Sequence, residues 1–147
     1  MFQEISTELL SQGYSVRFRP GGHSMSPAIR DGEAVTVAPV RASEVRRGDI
    51  ILYRAERGLI AHRVLRLRGE TDAPVFITRG DAATSCDAPV SASQVLGRVI
   101  CVERNGRPLS LKGLRMRIFC GARPFISRLK VRLRPVVHLT GRRMRVE

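Results

Sequence analysis

The sequence predicts a mostly β fold: a small antiparallel β-barrel or Greek-key domain with a short N-terminal helix and a basic amphipathic C-terminal helical tail. Short runs of residues alternate between apolar and polar side chains, and tight-turn signals built from Gly, Pro and Asp separate these runs. The runs do not alternate with helical segments as βαβ units would require. A chain of 147 residues can bury one core, so we expect one folded domain.

The first predicted element is an amphipathic helix over residues 2–12. Phe2, Ile5 and Leu9 recur there at helical spacing, and Gly13 follows as a C-cap. The alternation typical of strands then takes over. The predicted strands cover residues 14–19, 33–37, 50–53, 59–68, 75–78 and 95–102.

The segment after residue 107 differs in composition from the rest of the chain. Residues 102–147 carry 13 basic and two acidic side chains, whereas residues 1–101 carry 13 and 11. Apolar and basic residues mix there between Gly and Pro breaks, which predicts one or two short amphipathic helices. We therefore divide the chain into a domain over residues 1–107 and a basic segment over residues 108–147.

The charge of the basic segment favours a negatively charged partner. An anionic membrane surface is the first candidate. Nucleic acid is disfavoured, because no DNA-reading motif or aromatic stacking platform accompanies the charge. The alternative is a solvated basic face that packs on the β-domain.

Three cysteines and the apolar runs bear on the compartment. Cys86, Cys101 and Cys120 are an odd number, lie far apart and form no CxxC pair, so we expect neither a disulfide framework nor a metal site. Residues 1–16 lack the apolar run of a signal peptide, and no stretch of 18 uncharged apolar residues occurs. We expect a cytoplasmic protein without a cofactor, with peripheral membrane association through the basic segment.

Residues 21–27 (GGHSMSP) contain the first candidate for chemistry, Ser24. The glycine pair before Ser24 lets another chain approach closely, as attack on a peptide carbonyl requires, and Pro27 stiffens the exit from the loop. A serine hydroxyl needs a base within hydrogen-bond reach. Taken alone, the motif favours an ordinary loop serine near a turn.

His62 is the candidate base, because it interrupts the apolar pattern of the predicted strand 59–68. On periodicity alone it would be a half-exposed strand histidine. A carboxylate beside the base would orient the ring and stabilise the imidazolium. Asp81 and Asp87 are candidates for that carboxylate, although Gly80-Asp81 also fits a simple turn.

The order of these motifs resembles the type I signal peptidases and the related LexA-like peptidases. Gly-x-Ser-Met-x-Pro, Gly-Asp-Ile-Ile, His-Arg-Val, Thr-Arg-Gly-Asp with a later Asp, and Leu-Gly-Arg-Val follow one another within residues 18–102. Most bacterial members have lysine before Arg-Val. The histidine here is similar to the endoplasmic-reticulum-type branch of the family.

The resemblance implies a LexA/signal peptidase-type β-domain and a role for each matching residue. Ser24 would be the nucleophile and His62 the general base, with Asp81 and Asp87 in support, and Met25 would contact the substrate. Two departures stand out: Gly22 occupies a position where many members have an oxyanion-binding serine, and we expect no membrane anchor of the family's kind. The oxyanion would then depend on backbone N–H groups, including that of Ser24.

The function predicted from the sequence is a serine endopeptidase that cuts a precursor or leader-type peptide. A LexA-like self-cleaving regulator is the second interpretation, although we expect no helix-turn-helix domain before the candidate site and His62 stands where those proteins have lysine. A catalytically inactive module that binds a peptide or a lipid is the third. Gly22 favours the inactive module, whereas Ser24, His62 and the two aspartates favour an enzyme.

Overall fold

A computed structural model describes residues 2–109 and, as two short strands, residues 137–138 and 144–145. The helix α1 (Phe2–Ser11) precedes the sheet, as its apolar spacing predicts. The strands up to residue 109 are β1 (Val16–Phe18), β2 (Pro20–Gly21), β3 (Ala34–Ala38), β4 (Ile50–Ala55), β5 (Gly58–Arg68), β6 (Val75–Arg79), β7 (Val90–Ser91), β8 (Val95–Arg104) and β9 (Arg107–Leu109). The two short strands beyond them are β10 (Val137–His138) and β11 (Met144–Arg145).

One sheet contains most strands, in the order β10-β1-β3-β8-β4-β5-β6-β7, with β9 paired beside β8. Within it, β10 joins β1 in parallel and the remaining pairs are antiparallel. β11 joins β2 in a separate parallel pair. The prediction of a mostly antiparallel β fold with a short N-terminal helix is therefore confirmed.

The predicted closure into a barrel is wrong for the part of the chain that the structure describes. β10 and β7 stand at the two ends of the strand order, and they do not pair with each other. A closed barrel needs a continuous ladder between its first and last strands. The sheet is therefore open in the described residues, and each of its two end strands is two residues long.

The sheet buries apolar side chains on both faces, and β4 shows why. Ile50 and Leu52 belong to one core cluster, which includes Leu10 of the helix, while Ile51 and Tyr53 belong to a second cluster. Successive side chains of a strand point to opposite faces, so this continuous apolar run supplies both clusters. The second cluster also contains side chains from β5 and β6, which places it beside those two strands.

The basic segment predicted as helical, residues 108–147, lies outside the described residues apart from the end of β9 and the strands β10 and β11. Cys86 and Cys101 are both free thiols, and Cys120 lies outside the described residues. Among the residues that the structure describes, no helix is long and apolar enough to cross a membrane.

Candidate active site

Ser24 lies in the loop between β2 and β3, on a turn that is anchored to the core. The Ser26 N–H donates to the His23 carbonyl at 3.0 Å, and the Ile29 N–H donates to the Met25 carbonyl at 2.9 Å. Met25 and Ile29 are buried in the first core cluster, whereas Ser24 is half-buried between them and the exposed His23. The turn therefore holds the Ser24 hydroxyl near the surface on a backbone that the core fixes.

His62 lies in the middle of β5, and its ring reaches the Ser24 hydroxyl. The His62 side chain is 6 % exposed, and its Nε2 lies 3.1 Å from Ser24 Oγ. With the proton on Nδ1, the Nε2 lone pair accepts the hydrogen bond that the hydroxyl donates. This is the geometry in which an imidazole can remove a serine proton.

Asp87 fixes the tautomer of His62. Its Oδ2 lies 2.7 Å from His62 Nδ1, and a carboxylate at that distance accepts the hydrogen bond that the Nδ1–H group donates. The Thr78 hydroxyl donates to the same oxygen at 2.7 Å, and the Tyr53 hydroxyl donates to it at 3.2 Å. The structure thus brings Ser24, His62 and Asp87 into one hydrogen-bonded line.

Asp81 does not contact His62, because it pairs with the next residue of the same strand. The Arg63 guanidinium donates to both Asp81 carboxylate oxygens, at 2.8 and 2.7 Å, and also to the Gly48 carbonyl at 2.9 Å. Hydrogen bonding to Asp81 raises the pKa of Arg63 and outweighs the opposing effect of burial. Of the two candidate aspartates, the structure brings only Asp87 to the histidine.

Gly80 allows the loop that carries the aspartates to pack against Ser24. A Cβ on residue 80 would lie 2.6 Å from the Ser24 carbonyl oxygen and 3.1 Å from His62 Nε2. The Ala82 N–H donates to that same carbonyl at 2.9 Å. A side chain at residue 80 would therefore separate the two loops that carry Ser24 and Asp87.

Two further predicted positions, Gly22 and Met25, have local roles. The Gly22 N–H donates to Asp31 Oδ1 at 3.0 Å, so this N–H is engaged within the loop. The Gly22 φ of +104° is in the region that favours glycine. Met25 is 5 % exposed and packs in the core, so only a small part of its side chain is available to a substrate.

Two residues of the site, Tyr53 and Thr78, were not predicted from the sequence. Both are buried, and both hydroxyls reach the carboxylate that orients His62. Each is a polar side chain inside an otherwise apolar strand, and this pattern could have identified them, because a buried hydroxyl needs a hydrogen-bond partner. The same signal had singled out His62. In the described parts of the chain, no group of three or more His, Cys, Asp or Glu side chains could hold a metal ion.

Comparison with known proteins adds no family to this geometry. No protein-family model and no curated protein matches the chain.

Proposed function

We propose that this chain is a serine endopeptidase of the Ser–His–Asp type, with Ser24 as the nucleophile. One observation carries the proposal: Ser24 Oγ, the His62 ring and Asp87 Oδ2 lie in a single hydrogen-bonded line, with distances of 3.1 and 2.7 Å. The resemblance to signal peptidases and LexA-like peptidases, and a fold of that type, are part of the same proposal. The substrate would be a precursor or leader-type peptide.

The reaction follows from the roles of the three side chains. Ser24 Oγ attacks the carbonyl carbon of the scissile peptide bond while His62 Nε2 takes the hydroxyl proton. Asp87 stabilises the resulting imidazolium. The imidazolium then gives its proton to the amine as the C–N bond breaks, which leaves an acyl group on Ser24. Water, activated by the neutral His62, hydrolyses this ester and releases the acid.

The negative charge on the carbonyl oxygen must be met by backbone donors. A backbone N–H aimed at the developing oxyanion is typical of such sites, and removing one donor costs about 10²–10³ in rate. We assign this role to the Ser24 N–H. Since the Gly22 N–H already donates to Asp31, we expect slower turnover than that of an enzyme with a second donor at position 22.

The test uses a fluorophosphonate, which reacts with activated serines and requires no known peptide substrate. Ser24 Oγ displaces fluoride from phosphorus, His62 takes the proton, and a covalent phosphonyl–serine forms. We expect rapid labelling at Ser24, measured by mass spectrometry, and none in Ser24→Ala or His62→Ala. Ser26→Ala is the matched control in the same turn and should label normally. Equal labelling of Ser24→Ala and the natural chain would refute the proposal.

A second candidate, cleavage of the chain by itself, has one observation in its favour. The backbone of β11, at Met144–Arg145, pairs with β2, at Pro20–Gly21, and β2 ends three residues before Ser24. Residues 144–145 of the same chain therefore lie beside the strand that leads to Ser24. Prolonged incubation followed by intact-mass measurement tests this, with Ser24→Ala as the uncleavable control. A mass that remains constant over the incubation excludes self-cleavage.

A further inference from the structure

Asp87 is held by two hydroxyl groups, one from each strand that flanks the histidine strand. β4 and β6 pair with β5 on opposite sides. Tyr53 comes from β4 and Thr78 from β6, while His62 lies on β5 between them. All three side chains reach the same atom, Asp87 Oδ2, at 3.2, 2.7 and 2.7 Å.

The hydrogen positions at Asp87 follow from what each group can donate. A threonine hydroxyl has one hydrogen, and the Thr78 oxygen lies 2.7 Å from Asp87 Oδ2 but 3.3 Å from the Tyr53 oxygen. The shorter bond to the charged acceptor is the stronger one, so Thr78 donates to Asp87. Tyr53 then donates to the same oxygen as a third, longer bond.

Asp87 itself belongs to the irregular stretch between β6 and β7, so strand pairing does not fix it. Thr78 holds it twice. The Asp87 N–H donates to the Thr78 carbonyl at 2.9 Å, and the Thr78 hydroxyl donates to the Asp87 carboxylate. One residue of a rigid strand thus fixes both the backbone and the side chain of the loop aspartate.

Both hydroxyls are well placed to act as permanent donors. Thr78 is fully buried and Tyr53 is 3 % exposed, so water does not compete for their hydrogens. Burial raises the pKa of the Tyr53 phenol well above its usual range, and the Asp87 charge raises it further. The phenol therefore keeps its proton over the pH range in which a histidine base operates.

We propose that Thr78 and Tyr53 are positioning residues, which hold Asp87 where it directs the Nε2 lone pair of His62 at Ser24. The inference rests on the proposed peptidase function for its catalytic consequence. Its structural part, the fixed Nδ1 proton of His62, stands apart from that function. Thr78 contributes more than Tyr53 to the positioning of Asp87, because its hydrogen bond to the carboxylate is shorter and its carbonyl also holds the Asp87 backbone.

The experiment compares Thr78→Val, Thr78→Ser and Tyr53→Phe with the natural chain. Thr78→Val preserves shape and removes the hydroxyl, whereas Thr78→Ser retains it. Thr36→Val is the matched control, since Thr36 is also a buried strand threonine. The readouts are the rate of fluorophosphonate labelling, the Nδ1 proton of His62 in NMR spectra of ¹⁵N-labelled protein, and thermal unfolding as a check on folding.

We expect Thr78→Val to slow labelling about 10- to 100-fold, the range for losing a hydrogen bond to a charged group. Tyr53→Phe should slow labelling by less than about 10-fold, because the hydrogen bond from Tyr53 to Asp87 is the longer one. The His62 Nδ1 proton signal should be lost or broadened in Thr78→Val and retained in Thr78→Ser. The Thr78→Ser rate should recover to near that of the natural chain, and Thr36→Val should leave both readouts unchanged.

The outcomes separate this inference from the proposed function. Labelling of Thr78→Val at the natural rate, while Ser24→Ala is unreactive, overturns the positioning roles and leaves the peptidase standing. If the natural chain is itself unreactive, the peptidase proposal fails, and the Nδ1 proton alone decides: a signal unchanged in Thr78→Val overturns the inference. Should Thr78→Val not fold, Tyr53→Phe decides, with unchanged rate and signal counting against the inference.

Discussion

Replacing Asp87 with asparagine should disable His62 without disturbing the loop that carries the carboxylate. An asparagine side chain has nearly the shape of aspartate but would place either a neutral oxygen or an NH₂ group against His62 Nδ1. Neither stabilises an imidazolium as a carboxylate does, and an NH₂ group would favour the tautomer with its proton on Nε2. In that tautomer the ring cannot accept the Ser24 proton.

The size of the effect can be bounded from the site. The same exchange in a well-studied Ser–His–Asp peptidase lowers kcat about 10⁴-fold. Asp87 lies 2.7 Å from the ring but keeps 24 % of its side chain exposed, so solvent screens part of the interaction. We therefore expect a loss of about 10²–10³-fold in labelling rate, equivalent to roughly 3–4 kcal/mol of transition-state stabilisation.

Asp81→Asn is the matched comparison, because it changes the same residue type in the same loop. Asp81 pairs with Arg63, and both side chains remain about one-fifth exposed. Loss of this ion pair should cost about 1–2 kcal/mol of unfolding free energy, measured by urea denaturation. Because Asp81 pairs with Arg63 and not with His62, the labelling rate of folded Asp81→Asn should stay within about threefold of the natural rate, a change of under about 1 kcal/mol.

Either of two results would overturn this assignment of the aspartates. Asp87→Asn could label within about threefold of the natural rate, which would mean that the carboxylate does not orient the base. Alternatively, Asp81→Asn could slow labelling as much as Asp87→Asn, which would mean that the two aspartates act as one unit and that contact with His62 is not what distinguishes them.

Three further predictions concern other parts of the molecule. Gly80→Ala should slow labelling at least about 10-fold, because the added Cβ would displace Ser24. Gly97 is equally tight against Val37, so Gly97→Ala should lower the free energy of unfolding, measured in urea, by about 1–3 kcal/mol. The labelling rate of the folded Gly97→Ala protein should be unchanged. Burial alone would raise the pKa of Glu33, but hydrogen bonds from Arg104 and from the Arg30 N–H lower it overall. The Glu33 carboxylate therefore stabilises the fold above the pKa of an unfolded glutamate, and this stabilisation is lost as pH falls through the lowered pKa of folded Glu33. In urea denaturation, Glu33→Gln should be less stable than the natural chain at neutral pH and equal to it in acid. A difference in unfolding free energy that does not change with pH would contradict this. The basic segment, residues 108–147, should bind anionic liposomes, so the chain should sediment with anionic but not with neutral liposomes at low salt. Equal recovery of the chain in both supernatants would exclude membrane binding.

The longer elements could be predicted because their patterns are local. The alternation of residues 59–68 gave β5 to within one residue, and the apolar spacing of residues 2–12 gave α1. The two-residue strands β2, β7, β10 and β11 have no such pattern, since their pairing depends on chain segments that meet only in the folded protein. Whether the main sheet closes depends on its two end strands, β7 and β10, so the predicted barrel failed there.

Part of the candidate site was predictable in its residues, but the pairing of those residues was not. A serine after a glycine pair and a histidine inside an apolar strand both stand out in the sequence. The partner of His62 does not, because Asp81 and Asp87 lie in one irregular loop whose path is a tertiary property. Tyr53 and Thr78 were missed for a similar reason: a lone hydroxyl in a strand shows that a partner is needed but not which one.

Strand geometry explains why the two aspartates divide as they do. His62 and Arg63 are neighbours on β5, so their side chains point to opposite faces of the sheet. Each meets one carboxylate from the same loop: Asp87 lies against the ring and Asp81 against the guanidinium. Because Arg63 donates to both oxygens of Asp81, the guanidinium compensates the charge of that carboxylate and holds it away from the imidazole. A single carboxylate then sets the tautomer of His62, and the Gly80 backbone, packed on Ser24, fixes the distance between that loop and Ser24.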